Sequence, residues 1–382
     1  MLYLSERLDS CARLWEERFR RNCVLSKSVV VIYGATGVGK TALAEQLAQH
    51  HPVEIINMDV GQFYVPFSIG TAKPLWRQSP VQHHLFDIID RPQNVTVIAY
   101  RELLLSKVQE VLSRGNQPIV VGGSGFYLMS LLFPPDQEHG SIGTKNTISA
   151  LSANSGMKDD SLKEGSSWQQ LFEIDPERAR AIAPGDTYRI ARALALFHDT
   201  GKKPSTFVPR YSPLFSKLHI IHVSRDRSEL IDRINSRVDT MIATGLFNEV
   251  ENLIGTEWEA FIRIKRLIGY DDVLAHLSPV LGTDPLTKDV AISLIKSRTR
   301  RYAKRQETFW RMLEARLKAL ELEKASHGMS ASANIPIPTF ESINLTHGTI
   351  DQYISRRSNQ FQQFQQFQNC DSYYYGSSYA KQ

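Results

Sequence analysis

The chain has 382 residues, a length that favours two domains at roughly 100–200 residues per domain. Its 45 lysine and arginine residues exceed its 40 aspartate and glutamate residues by five, and this mild excess permits a polyanionic partner without requiring one. The three cysteines form no CxxC pair, which excludes a disulfide framework and a zinc site and favours a reducing compartment. No apolar run reaches the roughly 18–20 residues of a membrane span. We therefore expect a bacterial cytoplasmic protein that does not contact a membrane. We also expect it to be a monomer.

The predicted elements begin with an N-terminal helical extension. Residues 1–27 have the leucine and aromatic spacing of an amphipathic helix, which either packs on the core or contacts a partner. Lys27 to Tyr33 is an apolar, β-branched run that predicts a strand. A glycine-rich turn follows this strand, and residues 41–51 then have helical spacing.

Strands and helices continue to alternate after this first unit. Val53 to Met58 predicts a strand that ends at Asp59, and Tyr100 to Leu112 has helical periodicity. Pro118 to Val121 predicts a further strand, which ends at Gly122-Gly123. This alternation predicts an α/β fold with a doubly wound parallel sheet. The glycine-rich turn, Asp59 and Gly122-Gly123 all follow strand ends, where open α/β sheets bind their ligands.

The composition changes at residue 134. Residues 134–167 are rich in Ser, Gly and Asn and predict a flexible loop, after which helical periodicity runs from Trp168 to about His198. His219 to Val223 predicts a strand, and the chain is then mainly helical to about Glu323. The expected parts are an N-terminal extension at 1–27, an α/β core with C-terminal helices at 28–133 and 215–325, an inserted helical region at 134–214, and a disordered low-complexity tail at 359–382.

The glycine-rich turn has the pattern of a phosphate-binding loop. Gly34-Ala35-Thr36-Gly37-Val38-Gly39-Lys40-Thr41 fits G-x-x-x-x-G-K-[ST] between a predicted strand and a predicted helix. Backbone N–H groups and the helix N-terminus attract a phosphate, Lys40 offers a positive charge, and the Thr41 hydroxyl is a candidate Mg²⁺ ligand. We therefore expect a P-loop NTPase-like fold that binds a polyphosphate or diphosphate with Mg²⁺. A kinase or NTPase is the default interpretation of this loop alone.

Five motifs downstream of the P-loop are foreign to a kinase. They are D-V-G-Q-F-Y from Asp59, I-G-T-A-K-P from Ile69, H-H-L-F-D from His83, G-G-S-G-F-Y from Gly122 and R-R-Y-A-K-R-Q from Arg300. Together with residues 175–201 and 233–245, they resemble the tRNA dimethylallyltransferase family, also called isopentenyl-tRNA transferases, over about Val29 to Arg311. The resemblance implies transfer of a dimethylallyl group from dimethylallyl diphosphate to the N6 amine of an adenosine just 3′ of the tRNA anticodon, with release of diphosphate.

The sequence departs from the family pattern at several positions. Val60 replaces a serine, Gly61 replaces a larger side chain, and Ala195 replaces a glutamate. Asp271-Asp272 stands where the family has Arg-Gln, and Trp310 comes one position later than the family tryptophan. These departures affect RNA affinity and substrate detail more than the chemistry.

Four residues are candidates for the chemistry. The adenine amine is a poor nucleophile because its lone pair is delocalised, so it needs a base, and Asp59 is the candidate, with an outer-sphere Mg²⁺ ligand as the alternative role. Lys40 is placed to stabilise the leaving diphosphate, and the resemblance assigns Arg237 to the same task. Ser124 either donates to the bridging oxygen or is an ordinary turn serine. Arg233, one turn before Arg237, is either a second phosphate ligand or a surface charge.

The candidate tRNA-binding residues lie in three stretches. Gln62 either pairs its amide with adenine or bonds its own backbone. Between Lys296 and Lys318 there are nine Lys and Arg residues against two Glu, and the alternatives are a phosphate-binding surface with stacking aromatics (Tyr302, Phe309 and Trp310) or a solvated helix face with buried aromatics. The expected tRNA-binding residues are Asp59, Val60, Gly61, Gln62, Tyr188, Arg189, Arg192, Arg301, Lys304 and Arg305.

The adjacent histidines His83 and His84 do not share one face of a strand or helix. Structural or RNA contacts are therefore favoured for them over metal binding.

Three other functions remain open at this point. A P-loop kinase for a small metabolite would share the loop, but would leave the A-K-R-Q and D-x-x-Q motifs without a role. An adenylate isopentenyltransferase acting on free nucleotides would share the core without needing the basic C-terminal helices. A non-catalytic RNA-binding module is disfavoured because Lys40, Thr41 and Asp59 are present together.

Overall fold

The computed structural model describes residues 25–134, 167–207, 211–326 and 337–356. Residues 1–24 of the predicted N-terminal helical extension, most of the predicted flexible loop and the predicted disordered tail lie outside the described residues. The predicted end of that extension at residue 27 is wrong, because the first strand already begins at Leu25. The chain divides into two compact units, Met1–Met129 with Pro213–Gln382, and Ser130–Ser212.

The first unit is built on one six-stranded sheet. Its strands are β1 (Leu25–Gly34), β2 (Val53–Asn57), β3 (His83–His84), β4 (Gln117–Gly122), β5 (Phe215–Ser224) and β6 (Thr339–Asn344). Their order in space is β3-β2-β4-β1-β5-β6, and every neighbouring pair is parallel. The central strand β1 is buried from Val29 to Tyr33, as expected when helices cover both faces of a parallel sheet. The predicted α/β fold class is confirmed.

The helices, in chain order, are α1 (Lys40–Ala48), α2 (Val97–Ser113), α3 (Gly125–Leu132), α4 (Trp168–Ile174), α5 (Pro176–Arg180), α6 (Thr187–Thr200), α7 (Arg227–Ala243), α8 (Leu246–Glu251), α9 (Glu257–Lys265), α10 (Tyr270–Leu277) and α11 (Lys288–Ser326). Helix α11 is 39 residues long. None of the helices in the described parts of the chain combines the length and the apolar content that a bilayer span requires.

The second unit contains helices α4, α5 and α6. Ser167 and Gln170 form a capping box at the start of α4, and Asp175 caps α5 by accepting the Arg178 N–H at 3.0 Å. Such caps satisfy N–H groups that a helix leaves without partners, and they fix where each helix begins. The small core includes Leu171, Ala179 and Ile190. The role of this unit in RNA binding stays a prediction.

Strand β6 is an element that the sequence analysis did not predict. The segment T-F-E-S-I-N mixes polar and apolar residues and has no clear period, and only its partner strand makes it a strand. It pairs with β5 in parallel register, with Val223 opposite Ile343. Residues 350–356 are helical, and Ile354 lies in the core cluster that also contains Val38 and Leu43. Residues 337–356 therefore pack in the same core as the P-loop residue Val38.

This packing predicts a specific stability defect. Ile354→Ala should lower the free energy of unfolding by about 2–4 kcal/mol, because it leaves a cavity in the core. Leu281→Ala removes the same kind of side chain from a fully exposed position and should change it by less than about 0.5 kcal/mol. Urea denaturation followed by circular dichroism measures both. Equal effects of the two substitutions would show that Ile354 does not belong to the core.

Candidate active site

The P-loop is held in place through its carbonyl groups. Lys40 Nζ donates to the Ala35 carbonyl at 2.9 Å, Arg233 Nε donates to the Gly37 carbonyl at 2.9 Å, and Arg225 Nε donates to the Val38 carbonyl at 2.9 Å. Helix α1 begins at Lys40, and its first N–H groups have no partners within the helix. With the carbonyls bound to cations, these N–H groups remain for an anion.

A cavity of about 640 Å³ opens beside the P-loop. The residues that line it are Gly37, Gly39, Lys40, Thr41, Ala42, Asp232, Arg233, Ser236, Arg237 and Thr240. Of the predicted loop residues, Ala35 and Val38 instead place their side chains in the hydrophobic core. Arg233 and Arg237 project from α7 onto the same cavity, so this space is flanked by three cations. We name it the P-loop cavity.

A second cavity of about 890 Å³ adjoins the first. Asp59, Val60 and Gly61 line it, so the tip of β2 faces an open space large enough for a nucleobase. Arg237 lines both cavities. We name the second space the Asp59 cavity. The predicted carboxylate and the predicted diphosphate site therefore meet at Arg237.

The charges at this junction influence each other. Burial lowers the pKa of Lys40 to about 8, against the opposing charge of Asp59. Burial raises the pKa of Asp59, although Lys40 and Arg237 both favour the carboxylate form. Burial also lowers the pKa of Arg237, again opposed by Asp59. All three groups are thus largely removed from solvent. Asp59 favours the charged form of both cations, and both cations favour the charged form of Asp59.

Gln306 is a site residue to which the sequence analysis gave no role. Its Oε1 accepts the Thr36 N–H at 2.9 Å and its Nε2 donates to the Gly123 carbonyl at 2.8 Å. Its own carbonyl accepts the Tyr33 hydroxyl at 3.1 Å. A Cβ on Gly123 would lie 2.1 Å from the Gln306 amide nitrogen, which is why glycine is required there. The glutamine of the A-K-R-Q motif therefore joins the P-loop to the Gly122-Gly123 turn. In the sequence, only its place in that motif could have indicated a role in the site.

Gln62 does not line either cavity. Its amide nitrogen donates to the carbonyls of Thr71 and Ala72 at 3.2 and 3.4 Å, so the amide bonds the backbone of a neighbouring loop and not its own. Gly61 is explained by the same loop, because a Cβ there would lie 2.8 Å from the Thr71 side chain. A role for Gln62 in contacting adenine stays a prediction.

The I-G-T-A-K-P and H-H-L-F-D motifs stabilise the walls of the Asp59 cavity. Lys73 of I-G-T-A-K-P forms a buried ion pair with Asp87 of H-H-L-F-D. Glu249 accepts the Ile69 N–H at 2.8 Å and the Tyr270 hydroxyl at 2.5 Å. These contacts fix the loop around Gly70 against α8 and α10.

The paired histidines are structural in the fold. His84 Nε2 lies 2.6 Å from a Glu54 carboxylate oxygen, and His83 Nδ1 lies 2.8 Å from the Val81 carbonyl. The described residues contain no group of three or more His, Cys, Asp or Glu side chains arranged to hold a metal ion. Any metal here would depend on Thr41 and on oxygens of the bound phosphate.

Ser124 and the Asp271-Asp272 departure differ in position, since the two aspartates line the Asp59 cavity. Ser124 follows the Gly122-Gly123 turn but lines neither cavity, so its contact with diphosphate stays a prediction. The Asp271-Asp272 departure is neutralised locally, since Arg298 donates to Asp272 at 2.6 Å and to Asp271 at 3.2 Å. In the second unit, Arg189 and Arg192 are exposed.

Helix α11 divides its predicted RNA contacts between two faces. Arg301, Lys304 and Arg305 are exposed, and Arg301 and Arg305 also line the Asp59 cavity. Trp310 is only 2% exposed and stacks on His222 with ring centroids 4.5 Å apart. Its predicted role in stacking on RNA is therefore wrong, because the ring is already in the core.

The arrangement matches a known family. The sequence profile of the family described as IPP transferase matches residues 62–313. This chain belongs to the IPP transferase family. The proteins named tRNA dimethylallyltransferase 1 of Syntrophotalea carbinolica and tRNA dimethylallyltransferase of Lacticaseibacillus casei are 36% and 38% identical to it. They align over 74% and 75% of this chain and over 87% and 89% of their own lengths.

Solved structures of the IPP transferase family resemble the fold as well. A eukaryotic dimethylallyltransferase acting on tRNA superposes with a TM-score of 0.59 at 25% identity, covering 87% of this chain and 77% of its own. The resemblance inferred from the sequence motifs is thus confirmed.

The bridge made by Gln306 gives a testable expectation. Gln306→Ala should lower the free energy of unfolding by about 1–3 kcal/mol, because the Thr36 N–H and the Gly123 carbonyl lose their partner. It should also weaken binding of an alkyl diphosphate, measured by isothermal titration calorimetry. Lys304→Ala, two residues earlier and exposed, should leave both quantities unchanged. Full diphosphate affinity in the Gln306→Ala protein would contradict the assigned role.

The lowered pKa of Lys40 predicts a pH dependence of anion binding. As pH rises through about 8, free Lys40 loses its proton and its charge, so an alkyl diphosphate, fully ionised at neutral pH, should bind more weakly. Between about pH 7 and 9 the dissociation constant should rise about tenfold. Lys40→Met should bind weakly at both pH values and lose this dependence. If the dissociation constants of the wild type and of Lys40→Met depended on pH in the same way, the effect would belong to another group.

Proposed function

We propose that this protein transfers a dimethylallyl group from dimethylallyl diphosphate to the N6 amine of an adenosine next to the anticodon of tRNA. The observation that carries the proposal is the meeting of two cavities at Arg237, with cations on one side and the Asp59 carboxylate on the other. A diphosphate fits the P-loop cavity and a purine fits the Asp59 cavity. The names of the curated relatives agree with this assignment.

The transfer step forms one bond and breaks another. The N6 lone pair attacks the allylic carbon, the bond from that carbon to the diphosphate oxygen breaks, and its electron pair leaves with the diphosphate. The amine gives a proton to Asp59, whose pKa is raised by burial. A raised pKa makes the carboxylate a stronger base, provided that Lys40 and Arg237 keep it ionised before the reaction.

The leaving diphosphate gains negative charge as the carbon–oxygen bond breaks. Lys40, Arg237 and the free N–H groups at the start of α1 are fixed around the P-loop cavity before substrate arrives, which stabilises this charge without rearrangement. Arg233 contributes by holding the Gly37 carbonyl.

The residues present also fit a magnesium ion. Thr41 lines the P-loop cavity and offers a hydroxyl, and Mg²⁺ commonly binds one or two protein oxygens together with phosphate oxygens and water. When bound, the ion neutralises charge on the diphosphate.

The adenine must leave its stack to reach Asp59. Extruding a base costs a few kcal/mol, and least in a single-stranded loop, which favours an anticodon loop over a duplex. Arg301 and Arg305 are exposed cations that line the Asp59 cavity, and Lys304 is exposed beside them on α11, where a phosphate backbone would pass. A free nucleotide would leave these residues without a partner.

The acceptor decides between the remaining functions. The protein is incubated with Mg²⁺, labelled dimethylallyl diphosphate and either bulk tRNA, AMP or no acceptor. Label in tRNA supports the proposal, label in AMP alone assigns the adenylate reaction, and no label in either acceptor contradicts both prenyl-transfer functions.

Substitution of Asp59 tests its role as the base. Asp59→Asn keeps the size of the side chain but removes its basicity, and should slow single-turnover transfer to tRNA about 10²–10⁴-fold. Binding of tRNA, measured by filter retention, should change little. Asp90→Asn makes the same charge change at an exposed position and should react at the normal rate. Normal single-turnover chemistry with weakened tRNA binding in Asp59→Asn would overturn the assignment.

A further inference from the structure

One aromatic side chain of the Asp59 cavity differs from the others. Among the described residues, five aromatic side chains line this cavity: Tyr64, Phe67, Phe261, Tyr270 and Tyr302. The first four are at most 9% exposed. They pack on one another, for example Phe67 on Tyr270 with centroids 4.7 Å apart. Their rings belong to the wall of the cavity and are not accessible to a ligand.

Tyr302 stands outside that aromatic cluster. It projects from α11 and is half-buried, and the guanidinium of Arg305 lies over its ring, 5.7 Å from the centroid. Tyr302 and Arg305 both line the cavity, so part of the Tyr302 side chain is accessible from it.

Asp59 is close enough to affect Tyr302. Burial, and after it the charge of Asp59, raises the pKa of the Tyr302 hydroxyl. Both residues line one cavity, so a flat group bound at the Asp59 carboxylate shares that cavity with the Tyr302 ring.

We propose that Tyr302 is the stacking surface that holds the extruded adenine with its amine at Asp59. The inference rests on the proposed function and specifies which residue positions the acceptor. A base removed from the RNA stack loses its stacking contacts with neighbouring bases. An aromatic ring can replace those contacts whichever base is bound. Arg305 adds to the effect by placing a cation against the same ring.

The hydroxyl of Tyr302 offers a competing role, as a hydrogen-bond partner of Asp59 or of the base. The two roles separate in conservative variants. Tyr302→Phe keeps the ring and removes the hydroxyl, whereas Tyr302→Leu removes the ring and keeps an apolar side chain.

The test compares two RNAs without relying on turnover. One is an anticodon stem-loop with adenine at the target position, and the other has an abasic site there. Their affinities for the full-length protein and its variants are measured by fluorescence anisotropy. The wild type should prefer the adenine RNA by about 10- to 100-fold. Tyr302→Phe should keep that preference and Tyr302→Leu should lose most of it, with nearly unchanged affinity for the abasic RNA. Phe247→Leu, which changes a half-buried aromatic residue absent from the cavity lining, should behave as wild type.

The outcomes separate this inference from the function on which it rests. An undiminished preference in Tyr302→Leu overturns the stacking role, and a loss in Tyr302→Phe equal to that in Tyr302→Leu assigns the effect to the hydroxyl and also overturns it. If the wild type transfers no label from dimethylallyl diphosphate to tRNA, the proposed function itself fails, whichever RNA is preferred.

Discussion

The burial of opposite charges at one junction constrains the rest of the active site. Lys40 and Arg237 lie beside Asp59 where little solvent reaches them. Burial lowers the pKa of the two cations and raises the pKa of Asp59, so it favours the neutral form of each group. Isolated charges in such a place would be expensive, so each requires the others at a fixed distance. In the proposed reaction, an arriving diphosphate would supply negative charge to the two cations. The same cations would keep the carboxylate ionised until it takes a proton.

Helix α11 holds this junction together. Gln306 fixes the P-loop and the Gly122-Gly123 turn from inside the protein. Trp310 anchors the same helix in the core by stacking on His222. Arg301 and Arg305 face outward at the cavity rim. Because these residues occupy different faces of one helix, the proposed RNA-binding surface is rigidly connected to the loop proposed to bind the diphosphate.

Much of the fold was predictable because its signals are local. The β-branched run before Gly34 and the glycine pattern up to Thr41 define a strand, a loop and a helix within a short segment. Strand β6 was missed because its polar and apolar residues carry no period, and only pairing with β5 makes it a strand. The stacking role of Trp310 was predicted wrongly for a related reason. An aromatic residue among lysines and arginines has the same local sequence whether it faces RNA or the core.

The sequence by itself determined the phosphate loop, the carboxylate at the tip of β2 and the family, since motif order along the chain is enough for these. The tertiary structure alone decided which side chains meet. It brought Arg237 of α7 between two cavities, directed Gln306 to the backbone of the P-loop, and turned the Gln62 amide toward Thr71. These contacts join residues far apart in the chain, and the choice between a cavity and the backbone depends on packing from several elements at once. The spacing of residues within one segment does not predict how several elements pack together.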